Sequence, residues 1–364
     1  MILLALLFLL VLLVAYANGA NDNFKGVATL FGANLTDYKK AITIATIATF
    51  AGAIASYFVA GALIQAFSGK GLVPDAVAAS PEFLMAVAAG AGSTVLIAAI
   101  FGFPISTTHG LIGALIGAGA VAAGDKLDLG VLKSSFLLPL LVSPALAIFL
   151  TIPLYRIAHA LSDRLGIKKE SCVCIAPGVF APAAAASADI SIGEAPACVE
   201  KYSGAVFGVT AQKAIDAAHY ASGAAVSFAR GLNDTPKLVG LMLAVKALDL
   251  RIGLVAVAAT MAVGGWISAR RVAETMSRKI STMNDGQALT GNLVTAFLVI
   301  VASRFGMPVS TTHVSVGAIT GIGLANGSAN KHVIGAVLTS WFLTLPIAAT
   351  IGAATYLAYR AFAG

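Results

Sequence analysis

Gly102-Phe103-Pro104-Ile105-Ser106-Thr107-Thr108-His109 is matched 204 residues later by Gly306-Met307-Pro308-Val309-Ser310-Thr311-Thr312-His313. Each octet lies inside a long apolar stretch. Its proline ends one helical arm, and the hydroxyl residues stand where an N-cap belongs for the next, so each octet predicts a broken helix. In hydrocarbon, such a break leaves backbone N–H and C=O groups without partners, tolerated only where protein or a wet cavity satisfies them. The two octets therefore predict the lining of a path.

A second pair of matching segments precedes them. Tyr16-Ala17-Asn18-Gly19-Ala20-Asn21-Asp22-Asn23-Phe24-Lys25 aligns with Phe228-Ala229-Arg230-Gly231-Leu232-Asn233-Asp234-Thr235-Pro236-Lys237 at an offset of 212, sharing the aromatic, Ala, Gly, Asn-Asp and Lys positions. Two independent matches in the same order make the chain a duplication. Apolar segments follow the same plan twice, at 2–33, 41–67, 82–123 and 131–155, and again at 203–245, 252–268, 287–325 and 332–359. We read 1–157 as a first transmembrane repeat, 158–202 as a polar, Ala- and Pro-rich linker on the cytoplasmic side, and 203–364 as a second repeat.

Composition agrees. Of 364 residues, 59% are apolar and 11% charged, against roughly 45–50% and 25% in soluble domains. With a mean hydropathy of +0.91, a soluble enzyme is excluded, and a multi-span membrane protein is expected. The formal charge of +7 reflects Lys and Arg lying mostly between apolar runs, the pattern of cytoplasmic loops. No basic stripe with interleaved aromatics supports a nucleic-acid partner. Cys172, Cys174 and Cys198 share one polar stretch and specify neither a disulfide framework nor a four-ligand zinc site; they read as free loop thiols. Ile2 to Val14 imitates the apolar part of a secretory signal, but it lacks a basic leader and the residues after it recur in the second copy, so it is expected to belong to the mature fold.

Loop charge suggests how the copies are oriented. Arg270, Arg271, Arg278 and Lys279 follow the second segment of the later copy, whereas the equivalent loop at 68–81 has only Lys70 with Asp75. Equivalent loops then face opposite sides of the membrane. The expected fold is an all-α integral membrane protein of two inverted-topology repeats with interrupted helices or re-entrant hairpins, about 10–12 helical segments in all.

Ser106, Thr107, Thr108 and Ser310, Thr311, Thr312 would aim hydroxyls, free N–H groups and positive helix ends at the midplane from two sides, an arrangement that binds an oxyanion such as phosphate. Asn21, Asp22, Asn233 and Asp234 offer hard oxygen ligands for Na+ or a proton relay, because a carboxylate in a span is costly and marks an ion path or a paired charge. The plainer alternatives stay open: hydroxyls that pack helices, and ion pairs Asp22–Lys25 and Asp234–Lys237 at i, i+3. Lys25 and Lys237 either attract the anion or snorkel, and His109 and His313 either serve the site or pack as neutral rings. Lys213, Asp216 and His219 share one helix face, lining a vestibule or meeting solvent. Two other classes remain: an anion channel, and a membrane hydrolase using Ser106, His109 and Asp22. Duplication argues against the hydrolase, since one catalytic centre has no use for mirrored copies.

At G-A-N-D and P-x-S-T-T-H the chain resembles the PiT family of inorganic phosphate transporters. The match covers both copies. Gly19-Ala20-Asn21-Asp22 keeps the first part of the family signature G-A-N-D-x-x-N, Lys25 and Gly26 stand where related sequences carry small or amide residues, and the second copy is degenerate at Gly231-Leu232-Asn233-Asp234. The resemblance implies phosphate uptake coupled to Na+ or H+, with sulfate as an alternative substrate within the family. It also implies a homodimer in the cell membrane and no cofactor beyond the coupling ion.

Overall fold

The computed structural model describes residues 2–164, 168–170, 174–175, 190–191, 201–203, 205–206, 209–243, 249–278 and 283–363. The principal helices are α1 (Ile2–Asp22), α2 (Tyr38–Val59), α3 (Pro81–Phe101), α4 (Thr107–Ala123), α5 (Leu138–Arg164), α6 (Ala211–Gly240), α7 (Leu250–Ser268), α8 (Arg270–Arg278), α9 (Asp285–Arg304), α10 (Thr311–Asn326) and α11 (Lys331–Ala363). Eight segments among the described residues are long and apolar enough to cross a bilayer. α6, with its five charged residues, and α10, with 16 residues, are not among them. They nevertheless occupy the places of α1 and α4 in the second copy. The chain is thus an all-helical multi-pass membrane protein, apart from short strand pairs such as Lys168–Glu170 with Lys201–Ser203.

The expected repeat boundary after residue 157 falls within α5, which runs on to Arg164. Cys172, Cys198 and Lys279 lie outside the described residues.

Local sequence sets the helix ends. Ser80 caps α3, with Pro81 in the first turn, where its missing N–H costs nothing. α9 starts with a capping box between Asn284 and Gln287. After α3 and α9 the chain reverses through Gly102 and Gly306, at φ 74° and 68°, a left-handed conformation that only glycine adopts without strain. α3 then pairs with α4, and α9 with α10. Each P-x-S-T-T segment is therefore the turn of a helical hairpin.

The two copies exchange partners. α1 packs on α3 and α7, while its equivalent α6 packs on α9 and α2; α4 packs on α11, and α10 on α5. Glycine permits the two crossings. A Cβ on Gly19 would lie 2.0 Å from the Met261 carbonyl oxygen, and one on Gly231 would lie 2.1 Å from that of Thr49. The backbones touch directly, so α1 and α6 are each locked into the other copy. Outside, Ile47, Phe58, Phe101, Leu141, Phe149, Ile267 and Phe342 are 67–78% exposed, an apolar surface suited to lipid. Inside, the centre is polar.

Candidate functional site

The hairpin turns, the break after α1 and the Asn233-Asp234 segment of α6 meet at that centre; the interruption expected around 230–237 is absent, since α6 runs unbroken from Ala211 to Gly240 with Pro236 inside it. Ser106 accepts from the His109 amide at 3.1 Å, and Ser310 accepts from the His313 amide at 3.2 Å. Both serines thus act as N-caps of α4 and α10, as the octets predict. The first-turn N–H groups of both helices have no intrahelical acceptor. His109 and His313 rings approach to 4.3 Å between centroids, bringing the two helix starts side by side.

The Asn-Asp segments lie against these turns. Asn21 donates to the Phe103 carbonyl at 2.9 Å, and Asn233 to the Val309 carbonyl at 3.1 Å. The Lys25 ammonium is surrounded by Asp22 Oδ1, Asn21 Oδ1 at 2.9 Å, the Ile105 carbonyl at 2.7 Å and Thr312 Oγ1 at 2.6 Å. Lys237 repeats the pattern with Asp234 Oδ1 at 3.3 Å, the Val309 carbonyl at 2.8 Å and Thr108 Oγ1 at 2.7 Å. Each lysine reaches across to the hydroxyl of the other copy's hairpin. Both ion pairs that the i, i+3 spacing allows are present and buried, and neither lysine snorkels.

Two residues that sequence reasoning passed over complete the network. Arg230 and Asn18 occupy equivalent positions in the duplicated segment, and the Arg230 guanidinium donates to Asn18 Oδ1 at 2.6 Å. It also donates to Asn23 Oδ1 at 2.9 Å and Thr49 Oγ1 at 3.1 Å, and lies 3.7 Å from Asp234. Asn18 donates to Asp22 Oδ2 at 2.8 Å and Asp234 Oδ2 at 3.3 Å, joining the two carboxylates. Thr107 donates to Asp22 Oδ2 at 2.8 Å. An arginine inside an apolar segment is itself a signal, because a guanidinium in a span faces the interior and finds partners.

Other predicted residues take different places. Thr311 is buried at the start of α10. His313 stacks on Trp341 with centroids 3.7 Å apart. His219 bonds Asp285 at 3.0 Å and Thr29 at 3.1 Å, and Gln212 donates to Asp216 at 2.6 Å. This face of α6 therefore meets protein as well as solvent. Ser106, His109 and Asp22 do not form a hydrolytic triad. The Ser106 hydroxyl serves the His109 backbone, and the Asp22 oxygens serve Asn18, Thr107 and Lys25.

Among the described residues, formal charge at the centre comes from three cations, Lys25, Arg230 and Lys237, against two carboxylates, Asp22 and Asp234. One net positive charge remains, beside two helix starts that favour an anion. A duplicated, interlocked helical membrane protein with a central site of this kind is a transporter in architecture. The chain belongs to the phosphate transporter family, whose sequence profile matches residues 18–352. It is 30% identical to a protein of Pyrococcus abyssi named "Putative phosphate permease", over 96% of each chain. It is 23% identical to "Inorganic phosphate transporter 2-1, chloroplastic" of Arabidopsis thaliana, over 93% of this chain and 69% of that one. A solved structure titled as a sodium-dependent phosphate transporter shares the fold at a TM-score of 0.77, with 22% identity over 99% of this chain and 100% of that one. The protein is a transporter, not an enzyme.

Proposed function

We propose that this chain is a secondary active transporter of inorganic phosphate in the cell membrane, binding the anion between the starts of α4 and α10. The observation that carries this reading is the crossed pair of bonds from Lys25 to Thr312 and from Lys237 to Thr108. They draw both hairpin turns and both Asn-Asp segments to one point, where phosphate would meet hydroxyls, first-turn N–H groups and ammonium groups together. The charge count supports a monoanion, because one net positive charge and one dihydrogen phosphate leave the loaded centre neutral. A neutral centre crosses a low-dielectric barrier at far lower cost than a charged one.

The halves 1–157 and 203–364 take the roles of inverted repeats, and their movement relative to one another opens the site to either side in turn. The segment between them is assigned to the cytoplasmic side and the assembly to a homodimer. As for coupling, the solved neighbour is sodium-dependent by its title, and Asn21, Asp22, Asn233 and Asp234 are the residues that would hold Na+. In this chain their carboxylates already face Lys25, Arg230 and Lys237, which favours the alternative of coupling without Na+. Radiolabelled phosphate uptake into proteoliposomes, chased with unlabelled phosphate or sulfate, tests the transport reading. Accumulation against a gradient is expected; movement only down the gradient would make the protein a channel, and no movement of phosphate would sink the assignment.

A further inference from the structure

The oxygens around the Lys25 ammonium outnumber its N–H bonds. Four surround it: a carboxylate, a side-chain amide, a backbone carbonyl and a hydroxyl, whereas an ammonium has three donors. All four are hard oxygen ligands of the kind that suit a small, non-transition metal cation. Two come from the α1 break, and two from the hairpin turns of different copies, Ile105 and Thr312. Lys237 has three of the four equivalents, Asp234, Val309 and Thr108, while the matching Asn233 oxygen accepts from Ser303 instead. The two lysines are related by the same 212-residue offset that relates the carboxylates.

Charge gives the same result independently. With both lysines removed, the two carboxylates, Arg230 and a monoanion would leave two negative charges uncompensated at the centre. Two mobile monovalent cations would be needed to cancel them. Lys25 and Lys237 bring those two positive charges on the chain itself, and their side chains are buried rather than turned to an interface.

We infer that Lys25 and Lys237 are the tethered counter-cations of the transport site, filling the oxygen shells a free cation would take, so that phosphate transport by this chain needs no Na+. The lysines are thus the residues that set cation specificity. This inference rests on the proposed phosphate reading for its transport readout, but its binding readout is independent of that reading.

The full chain is tested in two ways. First, phosphate exchange in proteoliposomes is measured with Na+ on both sides or with Na+ replaced by N-methylglucamine. The expected difference is under about twofold, whereas coupling between two bound ligands is ordinarily about 5- to 150-fold. A Na+ requirement of that size in the native chain overturns the inference. Absence of phosphate exchange in both media overturns the phosphate reading instead, and the inference then stands or falls on the second measurement. This is binding of radioactive sodium to the purified native protein and to Lys25→Asn, Lys237→Asn and the double variant, where the shorter amide vacates the shell and leaves an oxygen in it. Saturable sodium binding is expected in the variants alone; saturable binding by the native protein overturns the inference. If the variants do not fold, the two native measurements still decide it.

Discussion

The Lys25 ammonium of the first copy donates to the Thr312 hydroxyl of the second at 2.6 Å, and the Thr312 hydroxyl in turn donates a hydrogen bond to the Ile105 carbonyl at 3.0 Å. The equivalent bond from Lys237 to Thr108, at 2.7 Å, runs the opposite way. Neither copy can complete its own lysine shell. Removing one hydroxyl should therefore impair the lysine of the opposite copy.

Thr312→Val and Thr108→Val keep the side-chain shape and delete one acceptor of a charged group, an interaction worth about 1.5–3 kcal/mol. Each should lower phosphate exchange by roughly ten- to a hundredfold if that energy is spent in the working site. In a double-mutant cycle, Thr312→Val should couple to Lys25→Met, and much less to Lys237→Met. Equal coupling to both lysines would contradict the crossed geometry.

Arg230 makes the second prediction. From a fully buried position its guanidinium donates to Asn18, Asn23 and Thr49 and faces the Asp234 carboxylate across 3.7 Å. Arg230→Met leaves several of those oxygens without a donor, and breaking a buried charge pair from one side costs about 3–5 kcal/mol. Thermal unfolding in detergent should show a large loss of stability. Arg230→Lys should recover only part of it, because one ammonium cannot reproduce a planar fork reaching three side chains.

The duplicated octets were legible because proline and hydroxyl caps act locally, within one turn of chain. Ser106 and Ser310 cap the following helices as the octets imply, whereas the reversal at Gly102 and Gly306, which ends the preceding arm ahead of the proline, is not part of what the octets predict. Equivalence of Lys25 with Lys237 was legible too, but not the fact that each reaches the other copy. An offset says which residues correspond; which copy a side chain meets depends on helix packing, here on the crossings at Gly19 and Gly231. Arg230 aligned with Asn18 reads as a mismatch between copies, whereas in space the two are partners at 2.6 Å. Asymmetry in the repeat was the signal of a contact across it.

Those crossings are testable without any transport measurement. Gly19→Ala and Gly231→Ala would drive a methyl group into a carbonyl oxygen of the facing helix. Overpacking of this sort costs about 1–3 kcal/mol or more where backbone, not side chain, must yield. Both variants should unfold at clearly lower temperature. Gly335→Ala is the control: nothing lies within 4 Å of the added carbon on α11, and replacing an exposed helical glycine by alanine stabilises by about 0.5–1 kcal/mol. Equal destabilisation by all three would show that the crossings are not special.

Charge at the centre predicts which anion is taken. Lys25, Arg230 and Lys237 exceed Asp22 and Asp234 by one positive charge, so a monoanion balances the site and a dianion leaves one negative charge over. Sulfate has nearly the size and shape of phosphate but stays doubly charged near neutral pH, so the comparison isolates charge. An uncompensated buried charge costs several kcal/mol even after relaxation. Sulfate should then compete with labelled phosphate at least about a hundredfold more weakly than unlabelled phosphate does, a gap of about 2.7 kcal/mol. At fixed total phosphate, exchange should rise as pH falls from mildly alkaline to mildly acidic and the monoanion becomes the main species. Potent competition by sulfate, or exchange that instead follows the dianion upward with pH, would mean that the working site carries one more positive charge, with one of the two carboxylates protonated or a further cation bound.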